Sequence, residues 1–151
     1  MTNTYTIGQV ADILGVTAST LRFYDKEGLL PFVKRTTGGI RSFSDTDIEW
    51  LRIIECMKKA RIPLEDIKVY IVLATQGDDT IPQRLEIFLR QKEKLQKEME
   101  ELQKTMMVLN YKCWFYKTAE EYHSTEKVSS MSDDEIPAEF VKIRQELKKH
   151  N

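Results

Sequence analysis

At 151 residues the chain has room for one modest domain and an extension, and 41% hydrophobic with 31% charged residues predicts a soluble protein rich in exposed helix. A formal net charge of −1 supplies no global attraction for nucleic acid, no apolar run nears the roughly 18 residues that span a bilayer, and the polar start Met1-Thr2-Asn3-Thr4 is not expected to act as a signal peptide. Two cysteines far apart, Cys56 and Cys113, exclude a paired redox or metal motif and fit a reducing cytoplasm.

Thr6 and Gln9 have capping-box spacing, and Ile7, Val10, Ala11 and Leu14 then share one helical face. Gly15 is placed to end this helix. Thr17 is placed to cap a second one, with Val16 and Leu21 at the spacing of a hydrophobic staple, and Gly28 to stop it ahead of Leu29-Leu30-Pro31. Two short helices across Gly15-Val16 make a helix-turn-helix pattern. The runs Phe32-Val33-Lys34-Arg35 and Ile40-Arg41-Ser42-Phe43 flank Thr36-Thr37-Gly38-Gly39 and predict a β-hairpin, which completes the layout of a winged helix.

Ser44, with Asp45 and Asp47, starts a third helix: a cap, then acids in the positive first turn. Phe43 and Ile48 again have staple spacing. Ile48, Leu51, Ile54 and Met57 form its core face, which Trp50 and Ile53 are expected to widen. Pro63 opens a fourth helix with Glu65 and Asp66 in its first turn, and Gly77-Asp78-Asp79-Thr80 is expected to close a winged-helix domain spanning 4–77.

The period then changes. Leu85, Phe88, Lys92, Leu95, Met99, Leu102, Met106, Leu109, Cys113 and Tyr116 alternate spacings of three and four, the a/d seam of a coiled coil with Lys92 as its charged exception. Positions 82 to 117 would span roughly 50 Å, and a coiled-coil helix is expected over 81–117. So narrow a stripe calls for a partner, most simply a second copy. The flanking positions are mostly neutral (Leu89, Gln91, Gln96, Gln103, Thr105), so charge leaves the orientation of the pair open. Residues 118–151 are expected to be a polar tail, loose from Thr118 to Ser130. Ser132 with Glu135 then offers a capping box for a short terminal helix carrying Ile136, Phe140, Ile143 and Leu147 on one face.

Charge becomes informative locally. Residues 17 to 43 carry Arg22, Lys26, Lys34, Arg35 and Arg41 against Asp25 and Glu27, and phosphate binding depends on such a cluster. Within it, Thr17-Ala18-Ser19-Thr20-Leu21-Arg22-Phe23-Tyr24-Asp25 presents donors suited to phosphates and base edges, Arg22 above all. The pattern alone leaves open a helical module for protein contact.

The run from Thr6-Ile7-Gly8-Gln9-Val10-Ala11 through Thr20-Leu21-Arg22-Phe23-Tyr24-Asp25-Lys26-Glu27-Gly28-Leu29-Leu30-Pro31 resembles the N-terminal domain of the MerR family of bacterial transcription regulators. Gly39-Ile40-Arg41-Ser42-Phe43-Ser44 and Ile62-Pro63-Leu64-Glu65-Asp66-Ile67 share the resemblance, which covers about half the chain. It implies a homodimer with an antiparallel coiled coil and two winged helices on an inverted repeat in a promoter spacer. The regulator would bend and untwist that spacer so that RNA polymerase, reached only through the DNA, meets both promoter elements. By this match Thr17, Ser19, Thr20, Arg22 and Tyr24 would contact DNA from the helix, and Lys34, Arg35 and Arg41 from the wing. One position departs: the family's wing usually carries an aromatic residue before the arginine, where this chain has Ile40.

Two further groups stay open on the residues alone. Cys56, near Arg52, Lys58 and Lys59, is either a thiol poised to sense aldehydes or other electrophiles, as its flanks resemble in the thiol-bearing branch of the family, or a small packed side chain. Tyr111, Trp114, Phe115 and Tyr116 either dock the coil end onto the partner's DNA-binding domain or line an effector pocket. A soft-metal site is not expected: Asp78-Asp79-Thr80-Ile81 stands where metal-responsive members carry a cysteine, and only Cys113, His123 and His150 follow. Neither a cofactor nor an enzymatic activity is expected, since no nucleophile–base pair, phosphate loop or carboxylate cluster is present. The expectation is a dimeric, sequence-specific DNA-binding regulator; the alternative is a coiled-coil interaction or architectural protein whose helix-turn-helix docks protein.

Overall fold

Capping chemistry sets the ends of the short N-terminal helices in the computed structural model, which describes residues 3–149; Met1, Thr2, His150 and Asn151 lie outside the described residues. Helix α1 (Ile7–Leu14) follows Thr6, whose hydroxyl accepts from the Gln9 amide while the Gln9 side chain returns to the Thr6 amide, and Gly15 ends it in the left-handed conformation at φ 68°. Helix α2 (Ala18–Lys26) follows Thr17, which accepts from the Thr20 amide at 3.1 Å. Helix α3 (Asp45–Lys59) follows Ser44, reciprocally bonded to Asp47, and α4 (Leu64–Thr75) begins directly after Pro63.

The wing is larger than its hairpin. Strands β2 (Lys34–Arg35) and β3 (Arg41–Ser44) pair antiparallel, with Lys34 opposite Ser42 and Arg35 opposite Arg41. A strand that sequence patterning does not reveal, β1 (Thr4–Tyr5), pairs with the other edge of β3 and makes the order β1-β3-β2. Two residues are too short for any alternation to register. The pairing is anchored instead by the Tyr5 hydroxyl, which donates to Asp45 at 2.8 Å.

Val10, Leu21, Leu29, Phe43, Leu51 and Ile67 are fully buried in one core shared by α1, α2, β3, α3 and α4. Trp50 is partly buried and stacks on Phe32 with ring centroids 5.6 Å apart. Ile53 does not widen the core: it is 37% exposed. At about 100° per residue it lies about 130° from the centre of the face formed by Ile48, Leu51, Ile54 and Met57, too far round the helix to be covered.

Helix α5 (Ile81–Tyr122) is 42 residues long and continuous. A one-turn 3-10 segment, Asp78–Thr80, precedes it, and the buried Thr80 hydroxyl lies 2.6 Å from the Leu73 carbonyl and 2.7 Å from that of Gly77. Ile87 and Gln91, on the early turns of α5, are buried, and the Gln91 amide donates to the Ala60 carbonyl at 3.0 Å. The chain divides into two compact units, one reaching Lys92 and one starting at Glu93.

In the second unit the segment expected to be loose is ordered helix. Thr118 to Tyr122 continue α5, His123 turns the chain at φ 50°, and Ser124 caps α6 (Thr125–Ser129), which buries Val128. The physical reason is local: Ala119, Glu120 and Glu121 are good or tolerated helix residues, and the Ser124 hydroxyl accepts the Lys127 amide. The Ser132–Glu135 box forms but opens only a 3-10 turn, Asp133–Glu135. Pro137 forces Ile136 into an extended conformation, so the terminal helix α7 begins at Ala138 and runs to Lys149. Phe140 and Ile143 of α7, with Ile136 ahead of it, pack against Tyr111, Trp114 and Phe115 of α5.

A polar clasp closes this second cluster. The Arg144 side chain is only 7% exposed, donates to the Met131 carbonyl at 2.7 Å and pairs with Asp133, which also accepts from Gln145 at 2.9 Å. Gln145 and then Arg144 hold the Asp133 carboxyl below the usual carboxylate range. A lowered folded-state value means stability that is present above the ordinary carboxylate pKa and lost as pH falls through the folded one. In a Trp50→Phe background, Trp114 fluorescence is therefore expected to report release of α7 below about pH 4. Asp133→Asn is expected to give the released spectrum already at neutral pH; a spectrum identical to the parent's would contradict the clasp.

Candidate nucleic-acid interface

The nine residues of α2 divide by face. Leu21 and Tyr24, three apart, point into the core, while Thr17, Ser19 and Arg22 are exposed and Thr20 is partly covered. The Thr17 and Thr20 hydroxyls lie 2.9 Å apart, so both take part in the cap, and Ser19, Arg22 and, in the last turn, Lys26 are donors that the helix leaves facing water.

Tyr24 is misplaced among the expected DNA contacts. It is 1% exposed, and its hydroxyl donates to Glu55 of α3. Burial, and then the Glu55 carboxylate, push its phenol well above the usual range. Lys58, also on α3, sits 4.9 Å from the Tyr24 ring centroid and 5.7 Å from that of Phe23. The i, i+3 spacing of Leu21 and Tyr24 carries the signal for this inward face, and it outweighs the polar hydroxyl.

On the wing, Lys34 and Arg35 are exposed and Arg41 is half-buried. Gly39, at φ 77°, closes the turn, where the Thr36 amide donates to the Ile40 carbonyl at 2.8 Å. Ile40, at the position where the resemblance leads one to expect an aromatic, is 66% exposed. Arg35 and Arg41 both reach back to Asp25 on the last turn of α2, at 2.7 and 2.5 Å. The structure thus brings two wing cations onto one carboxylate of the helix. Sequence reasoning counted Asp25 only as an offsetting charge; the register that sets Arg35 opposite Arg41 is the signal that points to it.

Cys56 is exposed, about 170° around α3 from the core face, so it is not the packed side chain of the second expectation. Arg52 and Lys59, at helical-neighbour spacing from it, are exposed too. Cys113 is exposed as well. Along α5 the seam positions Leu85, Met99, Leu102, Met106, Leu109 and Tyr116 are all more than half exposed, Leu102 at 68%. Phe88 is edge-on to Tyr70 at 5.7 Å. Of the aromatic group, Tyr111, Trp114 and Phe115 are engaged with α7 of the same chain, and Tyr116 faces outward. Among the described residues no group of three His, Cys, Asp or Glu is arranged to hold a metal ion, and no helix is long and apolar enough to cross a membrane.

Residues 5–72 match the model of the MerR HTH family regulatory protein, and residues 48–111 match that of MerR, DNA binding. An uncharacterized HTH-type transcriptional regulator of Haemophilus influenzae is 41% identical over 126 residues, covering 83% of this chain and 93% of that protein. The HTH-type transcriptional regulator AdhR of Bacillus subtilis is 42% identical over 89 residues, 59% of this chain and 64% of its own length. Among solved structures, HiNmlR, described as a MerR family regulator lacking the sensor domain, bound to promoter DNA, is 40% identical. It superposes with a TM-score of 0.64 over 89% of this chain and 100% of that chain.

The burial of Tyr24 has a measurable consequence. Tyr24→Phe removes the donor to Glu55 without changing shape, and is expected to lower unfolding stability in urea by about 1.5–3 kcal/mol. Ser19→Ala, on the exposed face, is expected to stay within about 0.5 kcal/mol of the parent. Equal effects would contradict the assignment of faces.

Proposed function

The chain belongs to the MerR family of helix-turn-helix regulatory proteins, which are transcription regulators and not enzymes, and on that premise we propose that two copies bind an inverted repeat in a promoter spacer and control transcription by bending and untwisting it. The observation that carries this reading is the convergence of exposed Ser19 and Arg22 on α2 with Lys34, Arg35 and Arg41 on the wing. Arg22 has the fork that suits guanine or phosphate, and the wing cations suit the flanking backbone. Thr17 and Thr20 contribute through the cap and through whatever hydroxyl capacity the cap leaves. The similarity to HiNmlR, described as bound to promoter DNA, supports the same reading. RNA polymerase is then affected through the shape of the DNA.

The dimer reading rests on the seam. Apart from Lys92 and the partly buried Leu95, the apolar seam from Leu85 to Cys113 stands exposed on a 42-residue helix, and α7 occupies the different face that carries Tyr111 and Phe115. A second copy is the simplest cover, antiparallel by the family resemblance, with Lys92 setting register at the cost of stability. Tyr116 remains available to dock the coil end on the partner.

Gel mobility shift on the DNA upstream of the chain's own reading frame tests both parts. Specific binding with a steep salt slope is expected, and Lys34→Ala should lower that slope by about 1 per bound head. Leu102→Asp, which charges the seam, is expected to give monomers in sedimentation and abolish the specific shift. Absence of any shift at low salt would instead favour a protein-docking role for the helix-turn-helix.

Cys56 carries the signal in this reading: an exposed thiol between two cations, in a cytoplasmic regulator, is open to an electrophile. A promoter reporter should respond to an aldehyde in the wild type and not in Cys56→Ser. A full response in the variant would remove Cys56 from the mechanism.

A further inference from the structure

Asp25 stands where its own helix does not favour it. It is the penultimate residue of α2, at the negative end of the helix dipole, where an acid is destabilising. Its compensation comes from the wing. One carboxylate oxygen, Oδ2, accepts from Arg35 Nη2 at 2.7 Å and from Arg41 Nε and Nη2 at 2.8 and 2.5 Å, and Arg35 Nη1 also donates to the Gly39 carbonyl at 3.1 Å. The two arginines are directly opposite each other across the β2–β3 pair. Like charges in that arrangement repel, and a hairpin whose β2 is two residues long has little pairing of its own to resist them. The anion that separates them belongs to the recognition helix.

We propose that Asp25 is a specificity-determining positioning residue: it draws Arg35 and Arg41 onto one carboxylate and so locks the wing to α2 in a single register. The wing's backbone contacts are then made only where Ser19 and Arg22 face base edges. Because one carboxylate stands against two guanidinium groups, the clasp keeps one positive charge for the phosphates and cancels the other. The carboxylate thereby weakens adhesion to arbitrary sequence while it sharpens binding to the operator. This inference rests on the DNA-binding reading above.

Asp25→Asn tests it, since the amide keeps an acceptor oxygen and loses the charge. Affinity is measured at two salt concentrations for the upstream duplex that the wild type shifts, and for a scrambled duplex of equal length and composition. Thermal unfolding of each variant accompanies the measurement. The expected result is binding to scrambled DNA that is equal or tighter, and binding to the upstream duplex at least tenfold weaker. Arg41→Lys provides a second route: it keeps both Asp25 and the positive charge but loses the forked geometry, and the ratio of the two affinities is expected to fall again. Asp25→Glu, which restores the charge, should recover part of the ratio. An unchanged ratio in Asp25→Asn and Arg41→Lys overturns the inference. So does a parallel rise in both affinities, which would make Asp25 a mere competitor for the arginines. If the wild type shifts no duplex, the DNA-binding reading itself fails; if it does and the ratio holds, only the positioning role fails.

Discussion

A nine-residue helix has no independent stability in water, and the candidate DNA-binding face depends on how α2 is held. Leu21 and Tyr24 fix it from below, the latter through its ring in the core and its hydroxyl on Glu55. Thr17 satisfies its first turn. Beyond its last turn, Lys68 of α4 reaches Glu27 at 3.4 Å, and Asp25 ties it to the wing. Leu21 and Tyr24 point away from the face that carries Ser19 and Arg22, while Asp25, three residues on from Arg22, borders it. That face is left free for a partner by the same attachments that make the helix exist.

Much of this was legible from residue order. Capping pairs are local, so Thr6 with Gln9, Thr17 with Thr20 and Ser44 with Asp47 mark the helix starts with no knowledge of the tertiary structure. The seam of α5 is a period, and periods survive without coordinates. What escaped depends on distant partners. Strand β1 exists because β3 offers it an edge. Tyr24 falls among the expected contacts through the family resemblance alone, and nothing local in the sequence points to its partner Glu55, 31 residues away. The 3-10 turn at Asp133 follows from a competition that the capping box alone does not reveal, between a good start signal and the constraint that Pro137 places on Ile136.

The second unit shows how one helix serves two covers. Around α5, Tyr111 and Phe115 are four residues apart and meet α7, whereas Leu109, Cys113 and Tyr116 follow the three–four seam and face outward. A terminal helix of 12 residues is long enough to cover the first stripe over a few turns. It is too short to cover a stripe running from Leu85 to Tyr116, so the intramolecular packing leaves most of that stripe exposed.

A chain of net charge −1 that binds DNA must place its charges rather than accumulate them. At physiological ionic strength screening acts over about 8 Å, so acids elsewhere in the chain would weigh little on a phosphate at the proposed contacts of Lys34 and Arg41. The charges that matter lie within one Debye length of the surface, and Asp25 is among them. A carboxylate in that position opposes binding to any duplex, which makes sense only if its effect on geometry exceeds its effect on potential. On the proposed reading, Arg35 and Arg41 without Asp25 would sample many phosphates on many sequences; with Asp25 both guanidinium groups are held at one place beside α2. On that reading the low net charge and the clasp act in the same direction, limiting the sequence-independent part of affinity so that what remains depends on the fit of α2 and the wing together.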